Sequence, residues 1–164
     1  MDRSKSIELL NLAVAEELQA VHQYMYFHFH LDDQGFGPLA DLFRRTAIEE
    51  MLHVERLAER ILFLKGDVEM TPSGPVETIT EARAIVAAAA KAEEEAVVMY
   101  NGFGQQCAAA ADSVSKQLFE DLVSDEERHF DQFDTQLENI ERFGPSYLAL
   151  QSFGGGSEGA APPV

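Results

Sequence analysis

A chain of 164 residues, 46% apolar and 25% charged, suits one globular domain with a core large enough to need no staples. Its one cysteine, Cys107, excludes an internal disulfide and a Cys-based zinc site, and a lone thiol fits a reducing compartment. A net charge of −17 with only 12 Lys and Arg argues against nucleic acid as a partner. No stretch approaches the roughly 18 apolar residues of a membrane span, and the charged start Met1 to Glu8 lacks a signal-peptide core. The expectation is a soluble, unexported, cytoplasmic protein.

Helical periodicity runs through most of the chain, and strand signals are missing. The first predicted helix carries a heptad seam of Ile7, Leu10, Val14, Glu17, Val21, Tyr24, His28 and Leu31, the pattern that faces neighbours in a bundle. Gly35-Phe36-Gly37-Pro38 breaks it and opens the second, whose seam is Leu39, Leu42, Thr46, Glu50, His53, Leu57, Ile61 and Leu64. From Gly66 to about Thr78 no helical pattern is visible. A third helix is predicted from about Thr80 to Ala111, with Thr78 and Glu81 spaced as a capping box and Val86, Ala89, Glu93, Val97, Tyr100, Gly104 and Cys107 as its seam. After a tight turn near Asp112-Ser113, the fourth presents Phe119, Leu122, Glu126, His129, Phe133, Leu137 and Ile140, and stops at Gly144-Pro145. A short fifth helix is expected over Ser146 to Ser152. The domain therefore spans 1–153, and the Gly/Ala/Pro-rich stretch 154–164 reads as a flexible tail.

Connection lengths set the topology. Short turns after the first and third helices make two antiparallel hairpins. A helix of about 30 residues is about 45 Å long. An extended linker of about 13 residues reaches roughly 43 to 47 Å, enough to return along the whole bundle. The fold class is therefore all-α: a four-helix bundle with one long crossover, the topology of ferritin-like bundles, plus a short C-terminal fifth helix.

Four seam positions are Glu, and an ionised carboxylate in an apolar core costs several kcal/mol unless paired or bound to metal. Their spacing repeats. Glu17 precedes Glu50 by 33 residues, and Glu93 precedes Glu126 by 33. Glu50 and Glu126 each open a Glu-x-x-His step, to His53 and His129, and a Tyr follows seven residues after each leading Glu, at Tyr24 and Tyr100. Residues three apart on a helix point the same way, so each Glu-x-x-His forms a clamp. Two clamps plus two further Glu match the carboxylate di-iron and di-manganese sites of such bundles. Four carboxylates against two divalent ions are near neutral. Oxygen and imidazole donors suit iron or manganese and disfavour soft metals, but donor type alone does not separate iron from zinc. Two such metals held close together can deliver two electrons to an oxidant at once. Tyr24 is a candidate to hydrogen-bond a ligand or supply a further electron. Tyr100 reads as structural, His22 and His30 as surface or interface residues, and Cys107 as a small core residue.

At these residues the sequence resembles the bacterioferritins. Glu17-Leu18-Gln19-Ala20-Val21-His22-Gln23-Tyr24, Glu49-Glu50-Met51-Leu52-His53-Val54-Glu55-Arg56 and Glu59-Arg60-Ile61-Leu62-Phe63-Leu64-Lys65-Gly66 carry the likeness, which covers about Ser6 to Tyr147. Rubrerythrins and ordinary ferritins share the clamps without the Glu-Met-x-His arrangement. The resemblance implies that Glu17, Glu50, His53, Glu93, Glu126 and His129 form a ferroxidase site holding two Fe ions per subunit, with Glu50 and Glu126 bridging. It implies Met51 as an axial ligand of haem (b-type or another iron porphyrin) shared between two subunits. It also implies a homo-oligomeric shell of about 24 subunits. Such a shell oxidises Fe2+ with O2 or H2O2, stores ferric mineral, and draws on a ferredoxin-like electron donor for release. Three departures stand out. The segment Ala87 to Tyr100 matches poorly, so Glu93 rests on spacing against Glu94 and Glu95; the Gly-rich tail has no obvious family role; and there is no Trp.

Met51 is turned about 100° from Glu50 around the helix, so it emerges on a flank beside Ala47, Ile48 and Val54, apolar neighbours that suit another subunit. The surplus of acid has a use in a shell whose inner wall and pores draw Fe2+ inward. Two other readings fit the same bundle: a di-iron or di-manganese peroxidase or catalase without storage, and a non-enzymatic haem-carrying or metal-buffering assembly.

Overall fold

Turn residues set the helix ends. In the computed structural model, which describes residues 3–153, the helices are α1 (Arg3–Asp33), α2 (Gly37–Phe63), α3 (Ala82–Ala109), α4 (Ser113–Phe143) and α5 (Pro145–Gln151), with no strand among the described residues. Gly35 adopts φ 82° and passes the chain to α2, where Pro38 occupies the first turn. Asp112 caps α4 by accepting from the Ser115 backbone N–H, and Arg60 of α2 clamps the same carboxylate at 2.6 Å. The expected capping box is corrected at α3. Glu81 is itself the N-cap, its carboxylate accepting from the N–H groups of Arg83 and Ala84, so the helix opens at Ala82 and Thr78 takes no part. An acid there also complements the positive end of the helix dipole. The predicted tail, 154–164, lies outside the described residues.

α1 packs on α2 and α3 on α4 as antiparallel hairpins. Residues 64–81 join them, a longer connection than the sequence pattern suggested. Gly66 passes Ile7 so closely that a Cβ would lie 2.8 Å from its Cγ2, which is why glycine stands there. From that point the crossover climbs α1: Asn11 donates to the Asp67 carbonyl, the Ser73 N–H to Ala15, Gln19 to Pro75, Gln23 to Glu77 and Gln34 to Thr80. The side-chain amides of Asn11, Gln19, Gln23 and Gln34 thus satisfy crossover carbonyls that have no ladder of their own. α3 starts at the opposite end of the bundle from the end of α2.

The core is in two halves. One centres on Phe27, Leu31, Phe43 and Phe133, where Phe43 and Phe133 stack at 4.8 Å; the other centres on Leu10, Leu57, Phe119 and Leu122. Each such side chain contributes about 1.5 to 3 kcal/mol by leaving water. The predicted seams are the faces that meet here, with Ile7, Val21, His28, Val97 and Leu137 half-buried at the margin. Cys107 lies wholly within the second half. No helix among the described residues is long and apolar enough to cross a membrane.

Candidate metal centre

Between the two apolar halves the bundle holds a layer of acid and imidazole. α1 brings Glu17, α2 Glu50 and His53, α3 Glu93, and α4 Glu126 and His129, none more than 3% exposed. Glu94 and Glu95 face solvent, so it is Glu93 that α3 turns inward. Two groups of potential donors emerge, Glu17, Glu50, His53 and Glu126, and Glu50, Glu93, Glu126 and His129. Within each, one donor atom per residue lies within 4.8 Å of the others. Glu50 and Glu126 belong to both.

The donors face one another rather than pair off. His53 Nδ1 is 2.8 Å from Glu50 Oε2 and 3.2 Å from Glu126 Oε1, and His129 Nδ1 is 3.1 Å from Glu50 Oε1 and from Glu126 Oε2. Yet both Glu50 oxygens, Glu126 Oε1 and His53 Nδ1 lack an aligned hydrogen bond, although all are buried. Buried polar atoms are normally satisfied. Convergent, unsatisfied hard oxygens with two imidazoles are what divalent first-row cations require, so the residues present fit such ions.

Electrostatics agree. Burial, then repulsion from Glu50, raises the Glu17 carboxyl well above its usual range; burial raises Glu93 likewise. Burial also opposes ionisation of Glu126, but His129 and His53 outweigh it and bring that group down to about 2. For His53 burial disfavours the imidazolium, while Glu126, Glu17 and Glu50 push its pKa up to about 12; His129 is raised in the same manner. Without metal the cluster therefore holds itself together with protons.

A second ring of contacts surrounds it. Tyr24, read as a site residue, donates to Glu93 of the other hairpin, and Tyr100, read as structural, donates to Glu17 at 2.5 Å. The two tyrosines make equivalent contacts, one in each half of the core. On the α2–α4 face, His53 Nε2 lies 3.3 Å from Asp125 and His129 Nε2 lies 2.9 Å from Glu49. Asp125 and Glu49 carried no role in the sequence reading. Their signal was available: each is the acid immediately before a Glu-x-x-His step. A cavity of about 380 Å³ reaches the cluster between α1 and α3, floored by Glu50 and Glu126 and lined farther out by Glu16, Glu77 and Glu95.

Met51 is not part of this layer. It is 47% exposed on α2 beside Ile48 and Leu52, themselves 43% and 46% exposed, whereas Ala47 and Val54 turn into the core instead of sharing that flank. Its neutral thioether on an exposed apolar strip is chemically unlike the donors of the acid layer. His22 is exposed, His28 Nδ1 lies 2.9 Å from the Ala40 carbonyl, and His30 packs on Tyr26, so these three make no second cluster.

Four long helices joined by one crossover, with a carboxylate–histidine layer at mid-bundle, define a ferritin-like protein, and the family model described as a ferritin-like domain matches residues 7–143. Bacterioferritins of Desulfovibrio desulfuricans and Rhodobacter capsulatus are each 37% identical to this chain. They align over 147 and 148 residues, covering 90% of it in both cases and 82% and 91% of the relatives. The chain belongs to the bacterioferritin family. Its fold superposes on the D. desulfuricans bacterioferritin, a structure concerned with the diiron site in different catalytic states, with a TM-score of 0.92 at 36% identity, covering 98% of this chain and 94% of that one. The R. capsulatus bacterioferritin, solved with a metal-free dinuclear site and haem iron in a crystallographic special position, gives 0.87 at 34% identity, covering 96% and 98%.

Proposed function

We propose that this chain is an iron-storing ferroxidase, in which Glu17, Glu50, His53, Glu93, Glu126 and His129 bind two Fe2+ ions as substrate. The observation that carries the reading is the pair of overlapping donor groups sharing Glu50 and Glu126, which supports those two as the bridging carboxylates. Two Fe2+ bound side by side supply both electrons for a two-electron reduction of O2 or H2O2. The chain's own groups do the rest. Glu16, Glu77 and Glu95 attract the cation toward the cavity. The imidazoles release their protons as it arrives, and Tyr24 holds Glu93 in place.

Met51 would hold a haem shared by two subunits, its neutral thioether being able to ligate haem iron. About 24 chains close into a cytoplasmic shell that retains the ferric product, with a ferredoxin-like donor reducing it for release. Residues 3–153 form the working domain. The decisive experiment is aerobic addition of Fe2+ at several tens of equivalents per subunit, followed by gel filtration. Ferric iron that co-elutes with the protein in that excess supports storage. Rapid oxidation with no retained iron points to a peroxidase or catalase, and retention of only stoichiometric Fe2+ points to a buffer.

A further inference from the structure

The histidines of the metal layer are held from behind, and the way they are held repeats. In each, Nδ1 faces the carboxylates and Nε2 points outward, onto Asp125 Oδ2 for His53 and onto Glu49 Oε2 for His129. A neutral imidazole carries one N–H. Donated outward from Nε2, it leaves the Nδ1 lone pair aimed at the site. Glu49 and Asp125 are 76 residues apart, the same interval that separates Glu17 from Glu93, Glu50 from Glu126 and His53 from His129. Each acid holds the histidine of the other hairpin: α2 supplies the acceptor for α4, and α4 for α2. Arg128 touches both, with Nη2 2.6 Å from Glu49 Oε2 and 3.4 Å from Asp125 Oδ1, and Arg56 Nη1 adds a 3.1 Å contact to Asp125.

We propose that Glu49 and Asp125 are positioning residues that fix the tautomer and orientation of His129 and His53 across the hairpin interface, and that Arg128 locks the two acids together. The proposal rests on the six-residue metal site. As plain surface ion pairs these groups have little reason to matter. Glu49, Asp125 and Arg128 side chains are 38%, 33% and 45% exposed, and pairs of that kind contribute at most about 1 kcal/mol. What sets them apart is that one end of each contact is an imidazole no more than 4% exposed. Outer partners of ligand histidines typically govern metal affinity about 10- to 100-fold. The two anchors also differ in reach: the longer Glu49 approaches to 2.9 Å and the shorter Asp125 to 3.3 Å.

The test titrates the metal-free full chain with Co2+, which binds as Fe2+ does but is not oxidised, reading calorimetry and the visible Co2+ absorption. The variants are Glu49→Ala, Asp125→Ala, Glu49→Gln, Asp125→Asn and, as a charge control, the exposed Glu127→Ala. Each Ala variant is expected to weaken one binding step about 10- to 100-fold and to alter the Co2+ band. Its metal-free melting temperature should fall only modestly, because the vacated positions are 38% and 33% exposed and water can replace the lost acceptor. Gln and Asn, which keep an accepting oxygen, should recover most of the affinity, and Glu127→Ala should match the parent. Arg128→Met should weaken both steps together; a variant that changes neither overturns the lock. Should an Ala variant fail to fold, Glu49→Asp and Asp125→Glu keep the charge and move the acceptor by one methylene. Weakened binding at parental melting temperature then supports the proposal, and parental binding overturns it. Ala variants with the parent's affinity and spectrum overturn the positioning role and leave the metal site standing. A parent that binds no Co2+ overturns the metal site itself.

Discussion

Glu17 answers to two partners with opposite needs. Its buried carboxyl repels Glu50 and Glu126, yet it accepts the Tyr100 hydroxyl at 2.5 Å. Cutting it back to Ala removes the repulsion but strands a buried hydroxyl, a loss of about 1 to 3 kcal/mol. Glu17→Gln keeps the acceptor and removes the ionisable group. Metal-free Glu17→Gln is therefore expected to melt no lower than the parent and Glu17→Ala below both, with metal binding weakened more than tenfold in each; calorimetric unfolding and Co2+ titration check both halves. The protons held by the metal-free layer lead to a second expectation. His53 stands near 12, with His129, Glu17 and Glu93 all raised, so near neutral pH the metal-free form carries more protons than the metal-bound form. Binding must release them, at least one from each histidine. Apparent Co2+ affinity should accordingly rise between pH 6 and 8, by about tenfold per unit for each proton released. Titration in buffers of different ionisation enthalpy counts those protons, and a flat affinity profile refutes the assignment.

Helix α3 shows what a sequence discloses and what it withholds. Its inward face was legible because intruding acid on an apolar seam is costly, and the 33-residue interval to Glu126 singled out Glu93 among three consecutive Glu. The same logic made the hairpins and the crossover readable, since helix and linker lengths must match. Its first residue was less legible: Thr78 and Glu81 have capping-box spacing, but Glu81 folds back onto its own helix and takes the cap alone. Contacts between elements were invisible for a different reason. Glu49 and Asp125 each precede a Glu-x-x-His step and Tyr100 repeats the placement of Tyr24, but a repeat names no partner, and only the approach of the two hairpins puts them against His129, His53 and Glu17. Met51 falls between, its flank readable from helical rotation while Ala47 and Val54 turned out to belong to the core. The register of α3 makes a sharp prediction. Glu93→Ala should abolish rapid Fe2+ oxidation in stopped-flow absorbance, whereas Glu94→Ala and Glu95→Ala leave the dinuclear step within a few-fold of the parent. Loss in Glu94→Ala equal to that in Glu93→Ala would place the ligand one residue away.

A single bundle accounts for iron oxidation but not for storage, which needs an enclosed volume. The subunit leaves large apolar side chains in water, among them Phe29, Leu62, Phe63 and Val98, each more than half exposed. These side chains are the places to look for contact with other copies. A shell of about 24 chains of 18.2 kDa has a mass of about 440 kDa, which light scattering separates at once from a dimer. Within such a shell Met51 has a particular consequence. A thioether on one subunit can occupy one face of a haem, and two-fold symmetry supplies an identical thioether for the other, since in a two-fold interface the same patch meets itself. One haem then belongs to two chains, and protein made with ample haem should be red, with about one haem per two subunits. Met51→Leu keeps the apolar volume and removes the sulfur. It should therefore lose the haem absorption while keeping the assembled mass and both Co2+ sites, because Met51 lies outside the acid layer. A colourless parent, or a Leu variant whose haem still shows sulfur ligation, would remove Met51 from the site.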